Sequence, residues 1–367
     1  MLFNKKVLIT YPGRSYPGGV SELYRTADLE SENVSYFNIY GSLRNRINFL
    51  DTLLMFARFV GQVYKYDLIH INPSLIKNSF FRDGLLVAIS KLFGKKVLVY
   101  WHGWIDDLEN KIKRRSFYRS FFKYTFGHSD ISIVLGSVFK NKLREMGYSG
   151  PVYIECNCAN NRYLEFSGEH KPKSLHRPVR LLFMARMEKT KGAYIAIDTL
   201  QLLNRQSPLY ELVIAGDGDE LPKIRAYAET NKIPGITFTG HVDGLKKHQL
   251  FADSDILLFP TYYDEGLPIV LLESMTYGMP VVTRRVGGIP DIIRHGKNGL
   301  ITESKDPRIF AELVATLCRD ESAYQALSLT NAIDSERFSP RRFCQRMINC
   351  YNTALSPKSA ETSATSS

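Results

Sequence analysis

The sequence predicts an α/β fold built as two parallel-sheet domains, on two observations. Short apolar runs rich in Val, Ile and Leu alternate with helix-patterned segments over short links, an order that gives a parallel sheet covered by helices on both faces. The alternation then restarts after a polar stretch with two prolines, EHKPKSLHRP at residues 169–178, which has linker composition. A chain of 367 residues, 44% hydrophobic and 23% charged, has room for two such cores. The expected division is an N-terminal domain over 1–170, a linker at 171–178 and a C-terminal domain over 179–340. A final helix over 341–355 and a disordered polar tail over 356–367 complete it.

In the first half, KKVLITYP reads as a strand and Pro17-Gly18-Gly19 as a turn. A helix follows through SELYRTADLESEN, with Leu23, Ala27 and Leu29 inward. VSYFNIY, DLIHIN, KKVLVYWHGW, DISIVLGS and PVYIECNCAN are further strands. Between them lie an apolar-striped helix within 44–65, a helix SFFRDGLLVAISKLFG, a basic aromatic helix ENKIKRRSFYRSFFKYTFG and the short FKNKLREMG. The second half opens on the strand VRLLFMAR and continues through YELVIAGDGDEL, ITFTGHV, DILLFPT and MPVV. A helix opening near Leu267 would carry Glu273 two turns in, with Glu265 in the loop before it and unpaired helix amides facing any ligand there.

Several classes are excluded. No run of 18 apolar residues is present, so no transmembrane span is expected. The first residues read as a buried strand, not a leader, because no small-residue cleavage site follows. Five cysteines at 156, 158, 318, 344 and 350 have no framework spacing, which fits a reducing cytoplasm. No GxGxxG, Walker lysine or HExxH is present, and the pairs Asp217/Asp219 and Asp253/Asp255 suit a turn and a strand start better than a metal. Cys156 and Cys158 are expected on one strand as buried thiols.

A net charge of +11 implies anionic partners without naming them. The densest basic stretch, 111–124, interleaves Lys111, Lys113, Arg114, Arg115, Arg119 and Lys123 with Phe117, Tyr118, Phe121 and Phe122. Phe117, Phe121 and Tyr124 would share a helical face. A solvated helix docked on the sheet and a helix lying on an anionic membrane both account for it. Nucleic acid does not, for want of any accompanying recognition motif.

The candidate chemistry lies at strand ends. His102 follows the strand KKVLVYW, where open sheets bind ligands, and a purely structural histidine explains it equally well. Arg186 and Lys191 flank the first strand–helix junction of the second half, where they could clasp a diphosphate or simply be solvated. Gly18, Gly19 and Gly216 offer backbone access or plain turns.

The motifs ARMEKTKG, VIAGDGDEL, FTGHV, ADSDILLFPTYYDEGLPIVLLESMTYGMPVV and RVGGIPDIIRHGKNGLIT resemble glycosyltransferase family 4. The likeness spans most of the chain and is densest from Arg186 to Glu303. It implies the GT-B fold, two Rossmann-like domains facing each other across a cleft, and retaining transfer from a UDP- or GDP-linked sugar with no cofactor or catalytic metal. By motif, Glu265 would meet the sugar hydroxyls and Glu273 the nucleotide ribose. Arg186 and Lys191 would hold the diphosphate, and Gly266, Leu267 and Pro268 the loop closing over sugar and phosphates. His102 would stand near the sugar's primary hydroxyl, Gly18-Gly19 beside diphosphate and acceptor, and Gly216 and Val242 at the donor. The last helix would cross back to the first domain. A local departure is Cys156-Asn157-Cys158, where relatives often have Pro-Asn-Gly.

The implied activity is transfer of a hexose or N-acetylhexosamine to a lipid-linked saccharide in surface polysaccharide or glycolipid assembly. The basic helix favours the lipid-linked acceptor and a peripheral place on the cytoplasmic face of the inner membrane. A sugar phosphorylase or disaccharide synthase with a soluble acceptor, and a non-enzymatic membrane adaptor, are the alternatives.

Overall fold

The computed structural model describes residues 4–14, 16, 18–27, 29, 32–40, 49–160, 172–206, 209–263 and 266–356. The first domain runs β1 (Val7–Tyr11), α1 (Gly19–Thr26), β2 (Val34–Asn38), α2 (Phe49–Val63), β3 (Leu68–Ile71), β4 (Ser74–Leu75) and α3 (Lys77–Leu92). It continues with β5 (Lys96–Trp101), β6 (Gly103–Trp104), α4 (Asp106–Arg114), α5 (Ser116–Tyr124), β7 (Ile131–Val134), α6 (Ser137–Glu145) and β8 (Val152–Ile154). The second runs β9 (Val179–Met184), α7 (Ala193–Gln206), β10 (Tyr210–Ala215), α8 (Leu221–Thr230), β11 (Ile236–Gly240), α9 (Gly244–Asp253) and β12 (Ile256–Phe259). After it come α10 (Ile269–Thr276), β13 (Val281–Arg284), α11 (Ile289–Ile292), β14 (Gly299–Thr302), α12 (Pro307–Arg319), α13 (Glu321–Ser335) and α14 (Pro340–Leu355).

Each domain holds a six-stranded parallel sheet, ordered β2-β1-β3-β5-β7-β8 and β11-β10-β9-β12-β13-β14. The continuous apolar runs are explained by burial on both faces: every residue of β3, β7 and β12 is buried. In both sheets the chain starts inside the strand order, builds outward one way and then returns to build the other. The reversals lie between β1 and β3 and between β9 and β12, where a parallel sheet leaves a crevice at its carboxyl edge. The two domains together form the GT-B architecture.

The helix α14 packs on β3 and β5 of the first domain. Its Arg346 donates to Glu155 at 2.7 Å and Tyr351 is fully buried. One apolar cluster consequently runs from Val7 and Leu98 through Leu271 and Met275 to Phe343 and Met347. No helix among the described residues is long and apolar enough to cross a membrane.

Four expectations change. The first helix stops at Thr26, although Leu23, Ala27 and Leu29 are buried as expected. The helix carrying Glu273 starts at Ile269, because Pro268 adopts an extended N-cap conformation, so Glu273 lies little more than one turn in. Cys156 and Cys158 lie beyond β8, which ends at Ile154. The basic aromatic stretch is two helices, broken where Arg115 becomes extended. Phe121 turns inward onto Phe80 and Phe81, while Phe117 and Tyr124 stay exposed, so the three do not share one environment. The cations also divide. Lys111 pairs with Asp107, and Lys113 with Glu109 and Glu145, whereas Arg114, Arg115, Arg119 and Lys123 are exposed.

Candidate functional site

A cavity of about 660 Å³ opens between the domains at the carboxyl ends of β9 and β10. From the first domain come Gly18 and Gly19, which open α1, with Glu22 and Arg25 one and two turns on. From the second come Arg186 after β9, Lys191, Gly216 after β10, Val242 after β11, and Pro268 and Glu273 of the α10 segment. Eight of the twelve residues singled out from the sequence therefore face one space. Leu267 is buried beside it and Gly266 lies at the domain seam. His102 is partly exposed at the end of β5, outside the cavity lining, and Glu265 lies outside the described residues.

Local geometry explains the glycines. Gly216 has φ +135°, and a Cβ there would meet the Ala185 carbonyl at 1.8 Å, so only glycine lets β10 turn this close to β9. A Cβ on Gly266 would lie 2.6 Å from the His102 carbonyl oxygen, which brings the α10 loop into backbone contact with the first domain. Next to it, Gly288 donates to the Gly266 carbonyl at 2.9 Å, and the Ser137 amide donates to Asp291 across the domains at 2.6 Å. Asn157, in the departure from the family pattern, reaches the Leu267 carbonyl at 3.4 Å.

The electrostatics are mixed. Arg186 is 70% exposed and pairs with Glu188 at 3.0 Å. The Lys191 ammonium stands 3.9 Å over the Tyr263 ring. Glu273 is 4% exposed and bonded to Lys247 of α9 at 2.6 Å. Burial pushes its pKa up, Lys247 opposes that, and Glu22 across the cleft adds to it. Burial holds His102 neutral, lowering its pKa to about 3.

Lys247, Glu22, Arg25, and the pair His248–Tyr277 at 2.6 Å were not singled out from the sequence. They sit on ordinary-looking helices, and no motif marks them. Among the described residues no group of three or more His, Cys, Asp or Glu could hold a metal ion. Asp255 instead accepts from the Arg180 amide and from His176, at 2.7 Å each.

Residues 168–332 match the family model described as glycosyl transferases group 1. The second domain is a group 1 glycosyl transferase domain. The chain is 30% identical to the amylovoran biosynthesis glycosyltransferase AmsK of Erwinia amylovora over 41% of its own length and 38% of that protein's. It is 24% identical to the putative colanic acid biosynthesis glycosyltransferase WcaL of Salmonella typhimurium, over 71% and 62%. Both matches therefore span less than two thirds of the relative. Among solved structures, Anabaena Alr3699/HepE in complex with UDP and glucose superposes with a TM-score of 0.72, at 16% identity, covering 95% of this chain and 100% of that one. At that identity the likeness speaks for the fold: a group 1 domain joined to a second parallel-sheet domain across a cleft.

Proposed function

We propose that the chain is a retaining glycosyltransferase that moves a hexose or N-acetylhexosamine from a UDP- or GDP-sugar to a lipid-linked saccharide, in surface polysaccharide or glycolipid assembly. The observation that carries this is a cavity shared by Gly18-Gly19 of one domain and Arg186, Lys191 and Glu273 of the other. A nucleotide sugar laid along it would have cations at its diphosphate and a carboxylate at its ribose. The likeness to AmsK, an amylovoran biosynthesis glycosyltransferase, and to WcaL, a putative colanic acid biosynthesis glycosyltransferase, supports a place in polysaccharide biosynthesis.

In this reading Arg186 and Lys191 meet the charge that grows on the leaving diphosphate. Glu273 accepts from the ribose hydroxyls, and Glu265, on its sequence motif alone, from the sugar. Pro268 and the amides of Ile269 and Val270 border the phosphates. The leaving phosphate helps deprotonate the acceptor on the same face of the sugar, so the anomeric configuration is kept. Backbone contact at Gly266 and Gly288 excludes water from the reacting bond.

Membrane docking has support in what the first domain exposes. Phe117 and Tyr124 of α5 stand among Arg114, Arg115, Arg119 and Lys123, α2 exposes Leu50, Leu53 and Leu54, and Tyr64 is exposed just past its end.

The test is a panel of UDP- and GDP-sugars offered with polyprenyl-diphosphate oligosaccharides or free sugars, with the product linkage read by NMR. Transfer to the lipid-linked acceptor with retained configuration is expected. Arg186→Ala should lower kcat roughly 100-fold or more. An inverted product overturns the retaining assignment, and efficient transfer to a free sugar without vesicle binding overturns the lipid acceptor.

A further inference from the structure

Beneath His102 lies a buried polar chain that reaches the C-terminal helix. Asn72, just past β3 and 7% exposed, donates from Nδ2 to the Thr10 carbonyl at 2.8 Å. A carbonyl can only accept, so this contact fixes which way the amide points. Its Oδ1 then faces the Tyr24 hydroxyl at 2.9 Å and His102 Nε2 at 2.7 Å. An amide oxygen can only accept as well, so both of these neighbours must donate to it. Flipping the amide would set two acceptors against each other at Thr10, where burial makes that costly.

We propose that Asn72 is the positioning residue for His102, holding its imidazole as the Nε2–H tautomer and leaving Nδ1 a bare acceptor. The proposal rests on the reading of His102 as a neighbour of the transferred sugar. It gives that residue a definite role: His102 accepts a hydrogen bond from a sugar hydroxyl and does not act as a proton donor.

The rest of the chain holds Asn72 in place. Having given its proton to Asn72, the Tyr24 oxygen accepts from His70 Nε2 in a long 3.4 Å contact. His70 Nδ1 then accepts from the Tyr351 hydroxyl of α14 at 2.8 Å. Tyr24, His70 and Tyr351 are 1% exposed or less, so water does not compete. The His102 ring is also braced by Tyr100, with centroids 4.2 Å apart, and its amide donates to the Pro73 carbonyl at 2.9 Å. Burial keeps both imidazoles neutral, with pKa values lowered to about 3. His70 stacks on Tyr100 with ring centroids 6.1 Å apart, and after burial the nearby His102 is the next influence that lowers its pKa.

The test uses the full chain with 15N-labelled histidine and long-range 1H–15N correlations, His102 being assigned by the loss of its signals in His102→Gln. A protonated Nε2 with an unprotonated Nδ1, unchanged from pH 5 to 9, is expected; a protonated Nδ1 overturns the proposal. Asn72→Leu should mix the tautomers and lower kcat about 10- to 100-fold, with the donor KM within about twofold. Asn72→Asp keeps the acceptor and adds charge, so His102 should titrate several pH units higher and kcat should gain an acid limb at that pH. An Asn72→Asp enzyme whose His102 stays neutral throughout overturns the proposal too. If the tautomer shifts as expected but His102→Ala retains full transfer, the positioning stands and the reading of His102 beside the sugar fails.

Discussion

Replacing Lys247 with Met tests how Glu273 is kept ready in the cleft. Lys247 Nζ lies 2.6 Å from Glu273 Oε1, and the glutamate is 4% exposed. The substitution keeps the length of the side chain but removes its charge and the hydrogen bond it donates, leaving a buried carboxylate that faces Glu22. Stripping one partner from a buried pair costs about 3–5 kcal/mol, and a value of about 3 suits this site because the Lys247 side chain is 25% exposed and admits water. That corresponds to about 4 °C in Tm if both domains unfold together and about 9 °C if the second unfolds alone. The sign with pH follows from the direction of the shift. An acid whose folded pKa lies above its unfolded value, about 4.3 for glutamate, is harmless below that value and destabilises increasingly as pH rises through the folded pKa. Scanning calorimetry should therefore find the variant close to wild type at pH 4 and fully destabilised by pH 8. Adding Glu273→Gln should restore most of the loss at pH 8 without restoring donor affinity. An equal Tm deficit at pH 4 and pH 8 would refute the argument.

Two further outcomes test the packing. Gly288→Ala puts a methyl 2.5 Å from the Gly266 carbonyl oxygen and 2.7 Å from that of Leu135, so the domain seam must part; small-angle scattering should record a wider particle, and kcat/KM should fall roughly 100-fold. Gly84→Ala puts a methyl 2.5 Å from the Phe121 ring, so if α5 is a docked helix the chain should lose about 1–3 kcal/mol in urea unfolding, and an unchanged midpoint would contradict that packing.

The sheets were legible because parallel strands buried on both faces are continuous apolar runs, as in VLVYW, ISIV and ILLF. The second-domain wall of the cavity was legible because its residues sit in motifs at strand ends, as with Arg186 and Gly216. Helix limits were less so. The break at Arg115 leaves no mark in the sequence, since neither glycine nor proline is there, and tertiary docking of Phe121 and Phe122 beneath α5 accompanies it. Lys247 was illegible for another reason. On α9 it is one lysine of two in a row, and only the approach of α10 gives it a buried carboxylate. The chain from Tyr351 to His102 joins residues 281 apart in sequence at its His70 step, beyond the reach of any local pattern.

The return of α14 to β3 and β5 also constrains how the cleft can open. The polypeptide leaves the first domain between β8 and β9 and comes back between α13 and α14, so two covalent straps join the halves. A single strap would let one half swivel freely about the other. Two straps define a line, and the halves can swing about that line far more easily than they can twist across it. Any opening would therefore follow a swing about that line, and closing would return Gly266 to the His102 carbonyl and Gly288 to that of Leu135.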